Sequence, residues 1–435
     1  MSAAPLTLDL TRLIRRLGHS TPTGIDRVEY AYARHFSASP DFALRAMTTD
    51  FLGPRLLRPQ TLEHLLARAA AAWQAPSAGS ATAARAVRDF LAAPAGTPAP
   101  KPPAPAARPP VWRRALAAID GVVLRDQLAG RGRTAATLSA PGPQPPYLHI
   151  SHSNLDHPGR FSWLDRYRGP AIFFVHDLIP LTHPEYCGRG EDARHARRME
   201  TVARHARLII VNSAFTKRDM EAHLAARGLP APPLATIPLG IEDAFRHTAA
   251  AAPPPAVPYF VVVGTIEPRK NHALLLRLWR RLVAEQGGRA PRLVVIGRRG
   301  WANEDVFALL DGASDLSRHV VECGGLDDAD LLPLLRGARA LLAPSFVEGY
   351  GLPCAEALAL GVPVVASGIE AHREVCGSHA TYLAPVDEAV WADAVMALTA
   401  NAPAFAERTR GFAAPTWETH MARVEAILRT LPPGT

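Results

Sequence analysis

Five short apolar runs in the second half of this chain, each followed by a helical stretch, constrain its fold most. They lie at 259–263, 292–296, 320–322, 340–343 and 362–366. Runs of this length are typical of buried strands. Their alternation with helices predicts a doubly wound parallel sheet, and in such a sheet ligands bind at the carboxyl ends of the strands.

The first half also begins like an α/β domain. Residues 6–10 predict a strand, 20–27 a turn-rich loop and 28–36 a helix, with further strands at 147–151, 171–175 and 208–211. A chain of 435 residues is too long for one ordinary domain. The Pro/Ala stretch at 249–258 marks the expected boundary, which gives domains over 1–248 and 249–415 and a final helix within 416–435.

An Ala/Pro-rich insertion is expected over about 75–146. Residues 91–110 contain 7 Ala and 8 Pro, a composition that cannot build a packed core and predicts an extended or disordered segment. The next residues, 111–124, have a helical period that places four apolar side chains on one face: Trp112, Leu116, Ile119 and Val123. This basic amphipathic helix packs on its own domain or lies on a membrane.

The positive charge is concentrated in the first half. Residues 1–250 hold 31 Lys and Arg against 20 Asp and Glu (+11), whereas residues 251–435 hold 17 against 20 (−3). A basic half suits an anionic partner, such as a membrane surface or a diphosphate-linked acceptor, or merely keeps an arginine-rich chain in solution. The absence of helix-turn-helix, zinc and RNA-binding signatures disfavours nucleic acid.

The compartment is expected to be the cytoplasm. The sequence has no run of 18 apolar residues, its start does not resemble a signal peptide, and its four cysteines are scattered. We expect at most a peripheral contact with the inner membrane.

The segment 344–356 carries the clearest indication of a site. Its pattern predicts a loop that holds Glu348, followed by a helix with Glu356 in its first turn. Gly349 and Gly351 let the backbone approach a ligand closely, and the free N–H groups of the helix start suit a diphosphate. Because carboxylates do not bind phosphate, the two glutamates must bind hydroxyls, and the whole fits a nucleotide sugar. Glu356 alone would be explained as a solvated residue that complements the helix dipole.

A second motif lies at 261–271. A buried strand ends at Gly264, and the following loop presents Arg269 and Lys270 side by side. Two cations at the carboxyl end of a strand would stabilise the charge on a departing diphosphate. The alternative is a surface pair at a helix N-terminus, where the helix dipole disfavours cations.

Weaker signals surround these motifs. The strand-then-glycine pattern recurs at Gly297 and at 323–328, where Asp327 and Asp328 are expected to cap a helix and not to bind a metal. His176 follows a strand and can donate a hydrogen bond or carry a proton. Three further histidines lack metal-ligand spacing and are expected to be solvated or to contact an acceptor: His149, His152 and His157.

The two motifs together resemble the retaining family-4 glycosyltransferases of the GT-B fold. The resemblance implies an α/β chain with two Rossmann-like domains facing a cleft and a terminal helix that crosses back to the first domain. It implies that Arg269 and Lys270 hold the donor diphosphate, and that Glu348 and His176 lie against the donor sugar. It also implies that Glu356 binds the ribose. Further donor-binding positions follow from it: Gly24, Gly264, Gly297, Gly325, Leu326, Gly349, Tyr350, Gly351 and Leu352.

One departure from the family concerns the first loop. The family pattern has two or more glycines there, whereas this chain has only Gly24, which leaves Asp26 and Arg27 as candidates for the acceptor side.

The expected function is retaining transfer of a hexose from a nucleoside-diphosphate sugar, without a metal or another cofactor. The acceptor is expected to be a polyprenyl-diphosphate-linked glycan or a polysaccharide. The sequences of residues 23–27 and 264–271 resemble those of bacterial polysaccharide enzymes that use GDP-mannose. Two alternatives stay open, another GT-B enzyme such as a nucleotide-sugar epimerase, and a non-catalytic scaffold that binds sugar nucleotides.

Overall fold

Two sheets, one largely and one wholly parallel, organise the chain in a computed structural model that describes residues 3–19, 21–51, 53–73, 77–100, 120–138, 140, 142–246 and 257–431. The first sheet has the strand order β3-β2-β1-β4-β5-β6-β7. Its strands are β1 Ala4–Asp9, β2 Phe42–Asp50, β3 Gly53–Leu56, β4 Tyr147–His149, β5 Ala171–Val175, β6 Leu208–Val211 and β7 Leu234–Thr236. Only β3 runs antiparallel to its neighbour.

The second sheet has the order β10-β9-β8-β11-β12-β13 and is parallel throughout. Its strands are β8 Tyr259–Val263, β9 Arg292–Ile296, β10 Val320–Cys323, β11 Leu341–Ala343, β12 Val364–Ser367 and β13 Thr381–Leu383. The strand order reverses between β8 and β11 here, and between β1 and β4 in the first sheet. These two switch points are where α/β sheets bind ligands.

Helices cover the faces of both sheets. Those before β8 are α1 Thr11–Arg16, α2 Gly24–Ala38, α3 Pro59–Trp73, α4 Ala78–Ala92, α5 Gly121–Ala129, α6 Arg131–Leu138, α7 Ile179–Thr182, α8 Glu191–His205 and α9 Ala214–Ala226. Those after it are α10 His272–Gln286, α11 Glu304–Gly312, α12 Asp328–Arg336, α13 Leu352–Ala359, α14 Glu370–Cys376, α15 Glu388–Ala400, α16 Ala402–Ala406 and α17 Trp417–Thr430. No described helix is long and apolar enough to cross a bilayer.

The Ala/Pro-rich insertion is more structured than the composition predicts. Helix α4 buries Ala84, Val87, Phe90 and Leu91 in a core that also contains the second sheet. The segment 77–100 therefore packs on the second domain, although it precedes the boundary that we expected at 248. The extended-chain prediction was wrong over the end of α4, because its apolar face finds a partner there. The expected helix over 111–124 lies mostly outside the described residues, with Val123 within α5.

The terminal helix α17 packs on the first sheet, after the chain has completed the second. Met421, Val424 and Leu428 are buried in the core that holds β1 and α2. The Tyr32 hydroxyl and His420 Nε2 form a hydrogen bond of 2.9 Å inside that contact. The last helix thus ties the two domains together.

Candidate functional site

The loop after β11 forms the second domain's side of the cleft. Gly349 lies so close to the first domain that an added Cβ would be 2.7 Å from the carbonyl oxygen of His176. Its own carbonyl accepts a 3.1 Å hydrogen bond from the Ser213 hydroxyl. The sequence predicted a close approach of the backbone at Gly349. In the structure the group that it approaches closely is the backbone of the facing domain.

A network of ion pairs lies where β8 and β11 end. Glu348 Oε2 accepts a 2.5 Å hydrogen bond from Arg269, and Glu348 Oε1 pairs with the Lys270 ammonium and accepts from the Ser345 hydroxyl at 2.7 Å. Arg269 also pairs with Glu267 at 2.5 Å. The two motifs, separated by about 80 positions, thus meet at the switch point because β8 and β11 are neighbours in the sheet.

Glu348 is a charged group held in a buried place. Burial alone would raise the pKa of its carboxyl, but the cations of Arg269 and Lys270 hold that pKa far below its ordinary value. Glu348 is therefore an acceptor only, suited to hydroxyl groups.

Glu356 has the opposite environment. It is buried in helix α13, and no hydrogen bond to its carboxylate is found among the described residues. Burial raises its pKa to about 7, with Arg27 lowering it and Asp328 and Glu242 raising it. Its oxygens are free for a ligand's hydroxyls.

His176 is a neutral side chain on the first domain's wall. Burial lowers its pKa to about 4. Its ring stacks on Phe174 with centroids 4.4 Å apart, and Nε2 lies 2.7 Å from the carbonyl oxygen of Ile150. A neutral imidazole has one N–H, which this contact places on Nε2. Nδ1 is then an acceptor.

The other predicted donor positions divide into two groups. Gly24 faces Leu352 across the cleft, where an added Cβ would lie 3.6 Å from its Cδ1, and Gly264 borders the Lys270 side chain. Gly325 precedes α12 in a left-handed conformation. The remaining positions have structural contacts: Gly297 abuts the Gly264 carbonyl oxygen, Leu326 lies in the second core, and the Tyr350 hydroxyl donates to the Leu239 carbonyl.

Asp26 and Arg27 do not serve the acceptor side as we expected. Asp26 is fully buried, accepts from the Thr23 backbone N–H at 2.7 Å, and pairs with Arg12 at 2.6 Å and Arg16 at 2.9 Å. Arg27 reaches across the cleft to Asp328 with two hydrogen bonds of 2.7 and 2.5 Å. Both side chains are thus engaged in holding the structure.

Two further expectations were wrong in part. Asp327 caps α12, as predicted, by accepting from the Asp330 N–H at 3.1 Å, whereas Asp328 pairs with Arg27. His149 is not solvated, because it is fully buried beside Asp9, with Nδ1 and Oδ2 3.7 Å apart. Within the described residues no group of three His, Cys, Asp or Glu could hold a metal.

Sequence reasoning missed His372. The residue follows β12, is buried, and lies beside Gly351, Cys354 and Glu348. Burial alone would lower its pKa, but the pKa is raised because Cys354 and Glu348 favour the imidazolium. Its position after a strand next to β11 was the available signal, but no glycine-rich motif surrounds it.

The second half of the chain matches a known protein family. The family model described as "Glycosyl transferases group 1" matches residues 246–410. The serotype-specific mannosyltransferase WbdA of Escherichia coli is 30% identical over 282 residues, which cover 60% of this chain and 33% of that protein. The O-antigen chain mannosyltransferase B of E. coli is 29% identical over 55% of this chain and 68% of its own length. The chain thus spans about a third of WbdA.

The solved structure of sucrose-phosphate synthase from Thermosynechococcus elongatus resembles the whole chain. The TM-score is 0.59 at 16% identity, over 98% of both chains. Two Rossmann-like domains with facing switch points define the GT-B fold, the architecture of a class of glycosyltransferases. The second domain matches the group 1 glycosyl transferase family, and the chain resembles bacterial mannosyltransferases.

Proposed function

We propose that the chain is a retaining hexosyltransferase that moves mannose from GDP-mannose to a glycan in cell-surface polysaccharide synthesis. The observation that carries the proposal is the Arg269–Lys270–Glu348 network at the second switch point. The mannosyltransferase names of the two E. coli relatives support the sugar, and the O-antigen chain of one supports the class of acceptor.

The two cations would supply the positive charge that a departing diphosphate needs. The acceptor hydroxyl attacks the anomeric carbon from the face that the diphosphate leaves. The bond from that carbon to the phosphate oxygen breaks, and the hydroxyl proton passes to the same oxygen. Because Arg269 and Lys270 stabilise the developing charge, we propose that the reaction needs no metal and no other cofactor.

The remaining residues would orient the donor. Glu348, held ionised by the two cations, accepts from hydroxyls of the sugar, and Nδ1 of His176 offers a second acceptor from the facing domain. Glu356 accepts from hydroxyls of the ribose. A lipid-linked acceptor would bring the chain to the cytoplasmic surface of the inner membrane as a peripheral protein.

Replacing Lys270 tests the mechanism. Lys270→Ala should lower kcat by about 100-fold or more while the fold stays intact, because a charge that stabilises the leaving group is lost. Lys217→Ala is a matched control, since Lys217 is half-exposed on α9 and its ion pair within the described residues is with Glu221 on the same helix. Turnover and circular dichroism of both variants are the measurements. Wild-type turnover by the Lys270 variant would refute the proposed role.

A thermal-shift screen against GDP-, UDP- and dTDP-sugars tests the donor. We expect stabilisation by GDP-mannose. A shift with UDP-glucose and none with GDP-mannose would overturn the choice of donor. Release of a free epimer without any acceptor would instead favour an epimerase, and failure to bind every nucleotide sugar would favour a non-catalytic scaffold.

A further inference from the structure

A basic pocket lies at the switch point of the first sheet, facing the donor site. Its volume is about 510 Å³, within the range of small-molecule sites. It is formed by α1, by the loop after β4 and by one face of α8. Its cationic and imidazole side chains are Arg12, Arg15, Arg160, Arg194, Arg198, His152 and His157. None of them belongs to the donor network.

The pocket's positive charge is only partly compensated. Arg12 pairs with Asp26 at 2.6 Å, Arg194 with Asp156 at 2.7 Å and Arg198 with Glu191 at 3.4 Å. No carboxylate pairs with Arg15 or Arg160 within the described part of the chain, and the polar partner of Arg160 is the neutral side-chain oxygen of Asn154 at 2.5 Å.

Two observations indicate that the arginines around this pocket favour binding of an anion. Burial and the charge of Arg160 lower the pKa of Arg15. Arg198 pairs with Glu191 through a terminal nitrogen, but its buried Nε has no hydrogen-bond partner among the described residues. Like charges gathered around a cavity are unfavourable unless an anion joins them.

The pocket adjoins the wall that faces the donor. The His152 ring lies 5.5 Å from the His176 ring, and His152 Nε2 accepts from the His176 backbone N–H at 3.3 Å. Burial lowers the pKa of His152 well below its ordinary value. The neutral ring then carries its proton on Nδ1. A group bound in the pocket would therefore lie one side chain away from the donor sugar.

We propose that this pocket binds a phosphate or diphosphate group of the acceptor, and this inference rests on the proposed function. The chain would then add its sugar near the phosphate end of a short phosphorylated saccharide, not at the tip of a long neutral glycan. Guanidinium groups bind phosphate oxygens in pairs, and a multiply charged group compensates several of them at once. A reaction that attaches a sugar phosphate to a carrier, or a first glycosyl transfer to it, must supply such a substrate.

Kinetics of an Arg15→Gln/Arg160→Gln variant test the pocket, because neither residue pairs with a carboxylate of the described residues, so no such ion pair is lost. KM for a disaccharide diphosphate should rise by about tenfold per arginine. KM for the same disaccharide without its diphosphate, and the thermal shift with the donor, should not change. Arg277→Gln/Arg281→Gln is the control, because both residues are exposed and lie on α10 of the second domain, outside the pocket.

Other outcomes would overturn the inference. An equal KM for phosphorylated and plain acceptors in the wild-type chain would do so, as would an equal effect of the double variant on a uronic-acid acceptor. Arginine-dependent binding of phosphatidylglycerol vesicles, without binding of the soluble phosphorylated saccharide, would assign the pocket to a lipid headgroup.

Titration with inorganic pyrophosphate separates this inference from the proposed function. We expect the Arg15→Gln/Arg160→Gln variant to bind pyrophosphate more weakly than the wild type does. The Lys270→Ala variant should keep the pyrophosphate binding that depends on Arg15 and Arg160. Pocket binding without any glycosyl transfer would refute the proposed function and leave the anion site standing. Transfer to phosphorylated acceptors that is indifferent to the two arginines would refute the pocket alone.

Discussion

The two glutamates of the 348–356 segment have opposite charge states although they belong to one short motif. Glu348 meets two cations and stays ionised, whereas Glu356 is buried in α13 with a pKa of about 7. The difference follows from position, because the loop reaches Arg269 and Lys270 and the helix turns Glu356 toward Asp328 and Glu242. Two carboxylates tuned in this way fit two different parts of one ligand.

The stability of the chain should therefore depend on Glu356 as pH rises. Its pKa is 4.5 ordinarily and about 7 in the fold. Below the lower value the side chain is protonated in both the folded and the unfolded chain, so its titration does not affect stability. Between the two values the unfolded chain releases a proton that the folded chain keeps, so stability is lost as pH rises to about 7.

Glu356→Gln removes this titration. Relative to wild type, the variant should gain about 3 kcal/mol of unfolding free energy between about pH 4 and pH 8.5, because a shift of one pKa unit corresponds to about 1.4 kcal/mol. Denaturant unfolding of both chains at the two pH values is the measurement, and the comparison cancels any pH-independent effect of the substitution. A constant difference between the chains would show that the pKa is not raised.

The donor motifs were predictable because each consists of residues that are close together in the sequence. A strand, a glycine turn and a helix start lie within about a dozen residues, and their position in the sheet follows from the parallel alternation. The basic pocket was not predictable, because Arg12, Arg160 and Arg198 come from three separate elements. No spacing in the sequence marks them as neighbours, and only the general excess of arginine in the first half gave a hint.

Helix α4 shows why the composition of its neighbourhood led to a wrong prediction. Prolines and alanines around 94–110 suggested a segment without a core, yet the helix just before them has an apolar face. Arg292 on β9 is buried, and its guanidinium donates to the carbonyl oxygens of Phe90 and Pro94 at 2.5 and 2.9 Å. It also lies 4.4 Å from the Phe90 ring centroid. The second domain thus holds α4 by packing and by a buried cation.

Phe90→Ala should weaken this attachment. The side chain is 3% exposed, and truncating a buried Phe costs about 3–5 kcal/mol. We expect a lower melting temperature in calorimetry and faster proteolysis within 77–100. Phe51→Ala is the matched control, since Phe51 is 79% exposed and should change stability by less than about 0.5 kcal/mol. Equal melting temperatures of the two variants would mean that α4 contributes little to the second domain.

The switch points of the two sheets face each other across the cleft. Contacts that cross it include Ser213 to the Gly349 carbonyl, Glu374 to the first N–H groups of α9, and the Arg27–Asp328 pair. This arrangement brings His176 against the loop of Glu348. Polar contacts between the domains therefore hold His176 and Glu348 on opposite walls of one cleft.

Among these contacts, the Arg27–Asp328 ion pair is the one that a charge reversal can test. Arg27→Asp would set a new carboxylate beside Asp328 and Glu356, and like charges at this distance repel. We expect the cleft to open, which small-angle scattering would detect as a larger radius of gyration, and the apparent affinity for the donor to fall. The bidentate pair is partly exposed, at 20% and 26% for the two side chains, so its loss should cost about 1–2 kcal/mol.

The charge-swapped double variant decides whether the pair itself closes the cleft. Arg27→Asp combined with Asp328→Arg restores opposite charges across the same gap, and we expect the wild-type radius of gyration to return. Arg34→Asp makes the same charge change on an exposed position of α2 and should leave the radius unchanged. A double variant that stays open would mean that closure depends on the helix surroundings of Arg27 and not on its pairing. Because the pair lies beside Glu356, recovery of closure without recovery of donor binding would separate the closing role of the Arg27–Asp328 pair from the proposed ribose contact of Glu356.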